Sequence, residues 1–130
     1  MDLIVTHERP DFDALASLAL ARRLHPAARV VLPPARPAAV EACLNLFADD
    51  LNAAEAHDLH ARDLAEGFNL IVVDTADPGR VRLPVNPQDA RQVWVYDHHP
   101  PLPDGLPSLS GAGVVAPAGA TVTLLVRELR

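Results

Sequence analysis

Residues 69–74 read NLIVVD and residues 92–97 read QVWVYD, two short apolar runs that each end on a carboxylate. Neither run alternates apolar with polar residues, so both predict strands that are buried on two faces. LIVT at residues 3–6 and RVVL at residues 29–32 are further strands of this kind. Continuous apolar strands of this length are typical of a parallel sheet covered by other elements.

Helical patterns fall between these strands. Residues 13–24, DALASLALARRL, predict one helix, and a second begins near Pro37. Residues 119–130 predict a last helix, with an apolar stripe formed by Val122, Leu125, Val126 and Leu129. The polar stretch 52–67 is interpreted as a short edge strand with one helical turn, and residues 113–116 as a further short strand. Four prolines and two glycines predict a surface loop at residues 100–111.

The alternation predicts an α/β fold, a parallel, Rossmann-like β-sheet of about five strands with helices on both faces. A length of 130 residues fits a single domain spanning residues 1–130. The apolar stripe of the last helix continues to the final residue, which suggests a fragment of a longer chain.

Bulk properties narrow the class of protein. A formal net charge of −6 argues against a broad nucleic-acid-binding face but allows a small phosphate-containing substrate. One cysteine, Cys43, excludes an intrachain disulfide and fits a reducing compartment. We find neither a membrane-spanning apolar run nor the pattern of a signal peptide, so the expected location is cytoplasmic.

Carboxylates and imidazoles follow three of the predicted strands. Because ligands bind beyond the carboxyl ends of parallel strands, these groups are expected to share one cleft. Clustered carboxylates repel each other unless a cation lies between them. Oxygen and nitrogen ligands together suit Mn, Mg, Zn or Fe, and a central carboxylate such as Asp74 can bridge two ions. The residues concerned are His7, Asp11, Asp13, Asp74, Asp97, His98 and His99.

Each of these residues also has a structural interpretation. Asp11 and Asp13 are well placed to cap the first helix, and Asp74 to end a strand in a turn. His25, His57, His60 and Asp77 are interpreted as structural or solvated. The chain has neither a P-loop nor a G-x-G-x-x-G motif nor a G-x-S-x-G elbow, so those chemistries are unsupported.

The pattern T-H-x-x-P-D-F-D-A-L-A-S, then V-V-D-T-A, then V-Y-D-H-H-P, then G-A-T-V-T-L-L resembles the DHH phosphoesterase superfamily in order and spacing. The resemblance covers essentially the whole chain and corresponds to the amino-terminal DHH subdomain. With Phe12 between the aspartates, it is most similar to the DHH module of fusion proteins that continue into CBS domains and a poly(A) polymerase or tRNA nucleotidyltransferase domain.

The resemblance implies two ions, Mn²⁺ or Mg²⁺, in the full-length protein. His7, Asp11 and Asp74 would hold one ion, with Asp74 bridging to a second. Asp13 and His98 would complete the second site. His99 would face the substrate phosphate as donor or general acid, Asp97 would orient the histidines, and residues 119–121 would form a turn and helix start near the site.

Two departures from the family pattern affect the expected activity. A fourth motif with a further metal-binding aspartate is absent from these residues, as is the carboxyl-terminal substrate domain. The resemblance therefore implies a phosphoesterase subdomain that is incomplete without downstream residues. Its substrate would be a phosphodiester or phosphoanhydride, such as a dinucleotide or a short oligonucleotide.

Two other hypotheses remain open. One is a non-catalytic metal- or nucleotide-binding module of a larger RNA-processing protein of the tRNA nucleotidyltransferase or poly(A) polymerase type. The other is a structural domain whose acids serve only as caps and turns.

Overall fold

A single six-stranded parallel sheet organises the chain, in a computed structural model that describes residues 1–46, 48–99, 114–115 and 120–129. The strands lie in the order β3-β2-β1-β4-β5-β6, the strand order of the Rossmann fold. The predicted α/β class is confirmed. The strands are β1 (Asp2–Val5), β2 (Arg29–Leu32), β3 (Ala53–Glu55), β4 (Asn69–Val73), β5 (Gln92–Asp97) and β6 (Val114–Val115).

The sheet has six strands where about five were predicted, and the two short strands interpreted within residues 52–67 and 113–116 form its edges. β3 has three residues and β6 has two, too few for a clear apolar pattern. The four inner strands carry that pattern. In β4, Leu70 to Val73 are all fully buried, as expected for a strand covered on both faces.

Helices were predicted on both faces, but in the described residues three α-helices cover one face of the sheet: α1 (Phe12–Leu24), α2 (Ala38–Leu44) and α3 (Thr121–Glu128). Their buried side chains join Ile71 and Val73 of β4 in one apolar cluster. Leu70 and Val72 point to the opposite face, because successive strand residues alternate. The helical elements described on that second face are short 3-10 turns, among them Ala61–Leu64 and Pro78–Arg80.

The apolar stripe predicted for the last helix is only partly buried. Leu125 is fully buried, but Val126 is 36% and Leu129 40% exposed, while Thr121 and Leu124 are buried instead. The first two backbone N–H groups of α3 donate to Asp13, a contact for which the sequence pattern carries no signal. The predicted loop at residues 100–111 lies outside the described residues.

No helix in the described part of the chain is long and apolar enough to cross a bilayer. Cys43 is a free, half-buried thiol on α2, next to the apolar cluster.

His25 ends α1 and packs against two aromatic side chains of β5. Its ring centroid lies 5.6 Å from that of Trp94, and its Nε2 lies 3.2 Å from the Tyr96 hydroxyl oxygen. Burial lowers the pKa of His25 below its ordinary value of 6.5, with the charge of Asp2 opposing this. The residue therefore has a structural role.

His25 is expected to make the fold less stable in mild acid. Because its folded pKa is lowered, the unfolded chain takes up the proton first as pH falls below 6.5. Stability is full above that pH and declines below it, by at most about 1.4 kcal/mol per pH unit for one proton. In urea unfolding at about pH 7.5 and about pH 5.5, His25→Gln should lose less stability than the wild type. His57→Gln, at an exposed position, should behave like the wild type; an equal slope in His25→Gln would contradict the assignment.

Candidate metal centre

The candidate site lies beyond the carboxyl ends of β1 and β4, two adjacent strands near the middle of the sheet. Val5 of β1 pairs with Val72 of β4, so two residues further along His7 comes opposite Asp74. The strand order reverses at this place, and open α/β sheets bind ligands in the crevice formed there. Thr6 ties the two strand ends together, because its hydroxyl donates to the Val73 carbonyl at 2.8 Å.

His7 is buried between two hydrogen-bond acceptors. Its Nδ1 lies 2.8 Å from the Glu8 carbonyl oxygen, and its Nε2 lies 3.1 Å from Asp74 Oδ2. A carbonyl cannot donate, so Nδ1 must carry the hydrogen. Nε2 then faces a carboxylate, an arrangement that needs either a second proton or a cation between the two groups. An imidazole held through Nδ1–H by a carbonyl is also the usual arrangement of a metal-binding histidine.

The pKa values of this pair fit the first of these states when no cation is bound. Burial disfavours the charged imidazolium, but hydrogen bonds with Asp74 and Glu8 outweigh it and raise the pKa of His7. Burial would also raise the pKa of Asp74, but hydrogen bonds with His7, Thr121 and Asp13 lower it. In this state the proton on Nε2 occupies the position between the two side chains that a cation would take.

Asp74 is the central residue of the site. It is 1% exposed, and its backbone has a φ of 62°, in the left-handed region that aspartate tolerates better than most residues. Its N–H donates to the Tyr96 carbonyl at 2.8 Å, so the strand end remains attached to β5. Its Oδ2 faces His7, whereas Oδ1 accepts from the Thr121 hydroxyl at 2.8 Å and lies 3.3 Å from His98 Nε2.

The histidine pair follows β5 on the other side of Asp74. The rings of His98 and His99 lie 4.1 Å apart. Asp97 is buried, and its Oδ1 accepts both from His99 Nδ1–H at 2.6 Å and from the His99 backbone N–H at 3.2 Å. These two bonds fix the ring of His99 and leave its Nε2 available. The His99 side chain is 47% exposed.

Both aspartates at the start of α1 act as helix caps. Asp11 is the N-cap of α1, and its Oδ1 accepts from the Ala14 N–H at 2.8 Å. Asp13 caps a different helix: its Oδ2 and Oδ1 accept from the Thr121 and Val122 backbone N–H groups of α3, each at 3.0 Å. Asp13 Oδ2 also lies 3.7 Å from His98 Nε2.

The surroundings of Asp13 disfavour ionisation of its carboxyl group. Burial raises the pKa of its carboxyl, and the nearby charge of Asp74 adds to this, against the lowering effect of the two backbone donors. A cation bound beside Asp13 and Asp74 would relieve this cost of ionising Asp13. Two observations therefore fit these side chains to a bound metal ion. Ionisation of Asp13 is disfavoured, and His7 Nε2 faces the Asp74 carboxylate.

Among the residues that the structure describes, two groups of potential ligands share Asp74. One consists of His7, Asp11 and Asp74, and the other of Asp74, His98 and His99; within each group, one ligand atom per residue lies within 4.8 Å of the others. The first group has the composition expected from the sequence. The second contains His99 where the resemblance implied Asp13, whose two oxygens accept from the backbone of α3.

The contact between Thr121 and Asp74 was not predicted from the sequence. Residues 119–121 were expected near the site, but nothing in the sequence indicated a bond from this hydroxyl to Asp74. Among the residues interpreted as structural, His57 and His60 are exposed, and Asp77 caps a turn by accepting from the Gly79 N–H at 2.9 Å.

Fold and site together define a parallel α/β protein with a candidate divalent-cation centre at its switch point. Over 133 aligned residues the chain is 29% identical to the A-adding tRNA nucleotidyltransferase of Geobacter sulfurreducens. The alignment covers 99% of this chain and 14% of that protein, so the chain spans a small part of its relative's length. No protein-family model matches the chain.

Proposed function

We propose that the chain is the metal-binding subdomain of a divalent-cation-dependent phosphoesterase. The observation that carries this proposal is the position of Asp74, which is common to two ligand groups at one edge of the sheet. A carboxylate shared in this way is the usual bridge in two-metal phosphoryl hydrolysis, where the ions lie about 3.5–4 Å apart. The DHH resemblance of the sequence supports the same class.

His7, Asp11 and Asp74 would hold one cation, and Asp74 with His98 would hold another. His99 or Asp13 would complete the second set. Asp13 would do so while its oxygens also accept from the α3 backbone. Mixed carboxylate and imidazole donors suit Mn, Mg, Zn or Fe, and among these the DHH resemblance favours Mn²⁺, with Mg²⁺ as the alternative. When bound, such a pair of ions supplies the charge that activates a water and stabilises the leaving oxygen.

The residues of this chain would supply positioning and proton transfer. His99 Nε2 is available on an exposed side chain, while Asp97 fixes the ring through Nδ1–H. A histidine oriented by a buried carboxylate is suited to give a proton to a leaving group or to bind a phosphate oxygen. The proposed substrate is a phosphodiester or phosphoanhydride of a dinucleotide or short oligonucleotide.

A second candidate is a non-catalytic metal- or nucleotide-binding module of an RNA-processing protein. The similarity to an A-adding tRNA nucleotidyltransferase favours it, since nearly all of this chain aligns with a small part of that protein. In that case the site would bind a cation or a nucleotide without turnover.

One comparison tests both candidates. Metal-free protein is titrated with Mn²⁺ by calorimetry, and hydrolysis of a dinucleotide is measured for this chain and for any longer product of its gene. We expect at least one Mn²⁺ per chain, with Asp58→Asn, an exposed acid away from the site, binding like the wild type. Hydrolysis by a longer product supports the phosphoesterase. Metal binding without turnover in every form supports the binding module, and no Mn²⁺ binding contradicts the phosphoesterase and a metal-binding module alike.

A further inference from the structure

Thr121, the first residue of α3, contacts the central carboxylate of the site from within the protein. Its side chain is fully buried, and its hydroxyl donates to Asp74 Oδ1 at 2.8 Å. The two residues are 47 positions apart in the chain, so this contact depends on how α3 is docked.

Asp13 docks that end of α3. Ala120, at the N-cap position of α3, has no side-chain oxygen, so it cannot cap the helix itself. Both oxygens of Asp13 replace it by accepting from the first two backbone N–H groups of α3. The first turn of α3 is thereby fixed to α1, and the Thr121 hydroxyl has a fixed position beside Asp74.

The Asp74 carboxylate therefore has a different neighbour at each oxygen. Thr121 binds Oδ1, on the side of His98, and His7 faces Oδ2. We propose that Thr121 is a positioning residue of the metal centre: its hydroxyl orients the Asp74 carboxylate so that each oxygen faces one ligand group. This inference rests on the proposed function. Partners that orient a metal ligand typically contribute about 10–100-fold to metal affinity.

Substitutions at Thr121 separate positioning from packing. Thr121→Val keeps the volume and removes the hydroxyl, whereas Thr121→Ser keeps the hydroxyl and removes a methyl group. We expect Thr121→Val to weaken Mn²⁺ binding at least about 10-fold and Thr121→Ser to remain within about 3-fold of the wild type. A packing role predicts the reverse order. Should Thr121→Val not fold, Thr121→Ala compared with Thr121→Ser gives the same test, because these two differ by the hydroxyl alone.

A measurement without metal keeps this inference separate from the proposed function. The imidazole ¹⁵N resonances of His7 and His98, which flank Asp74, are recorded in metal-free buffer. They should shift in Thr121→Val and Thr121→Ala and stay near wild-type values in Thr121→Ser. Unchanged resonances in both hydroxyl-free variants would overturn the positioning role. A wild type that binds no Mn²⁺ would instead overturn the proposed function, while the imidazole spectra would still decide whether Thr121 orients Asp74.

Discussion

Asp74→Asn is expected to reduce the affinity for Mn²⁺ at both ligand groups by at least about 100-fold. Loss of a residue that only orients a ligand costs up to about 100-fold in metal affinity, and loss of the ligand itself should cost at least as much. Asp74 is the residue that the two groups have in common. An amide oxygen is neutral and a much poorer ligand than a carboxylate, so both groups lose the carboxylate that they share. Calorimetric titration of metal-free protein with Mn²⁺ measures the effect directly.

Asparagine is the appropriate replacement because the backbone at this position has a φ of 62°. Asparagine adopts the left-handed region readily, whereas alanine would add strain. Asp11→Asn is the matched control, since asparagine caps a helix as well as aspartate does. It should weaken only the group that contains His7 and leave the group that contains His98 intact. Wild-type metal content in Asp74→Asn would contradict the shared role of Asp74.

His99→Gln is expected to lower turnover by at least about 100-fold in a catalytically active form of the protein, the usual contribution of a general acid or base. Its Mn²⁺ affinity should stay within about 3-fold of the wild type, since a proton donor need not bind the metal. The structural reason is the 2.6 Å bond between His99 Nδ1 and Asp97, which leaves Nε2 available on a side chain that is 47% exposed. Initial rates of dinucleotide hydrolysis and calorimetric affinities are measured on the same preparations.

His98→Gln is the control for this prediction. His98 is less exposed than its neighbour and lies 3.3 Å from Asp74 Oδ1, so its loss should weaken Mn²⁺ binding. An equal loss of affinity in His99→Gln would assign His99 as a ligand, in agreement with the geometric group of Asp74, His98 and His99. The proton-transfer role would then be wrong.

The sequence was sufficient to predict the sheet and the elements that carry polar groups. Continuous apolar runs such as that of β4 have few alternatives to a buried parallel strand. Because the carboxyl ends of parallel strands meet at one edge of the sheet, His7, Asp74 and His98 could be expected to lie together. Strand register could not be predicted, and it is the register of Val5 against Val72 that brings His7 opposite Asp74.

Contacts made by a side chain to a distant backbone were beyond sequence reasoning. Asp13 was considered as a cap of α1 or as a ligand, yet its oxygens accept from the backbone of α3. The apolar stripe predicted for α3 is likewise only partly buried, and Val126 is exposed although it belongs to that stripe. Hydropathy periodicity reports burial only where apolar packing alone determines helix orientation.

The two faces of the sheet are expected to differ in the free energy of local opening, because short 3-10 turns cover one face and α-helices cover the other. Short turns have few internal hydrogen bonds, so segments of this kind separate from a sheet at lower free energy than a packed α-helix. One of them, Pro78–Arg80, is followed at once by Val81, which forms an isolated antiparallel bridge with His7. Transient detachment on that face would therefore reach the first ligand group, whereas α1 and α3 on the opposite face keep the Asp13 contacts closed. A cation held at the proposed centre would therefore exchange with solvent more readily from this side.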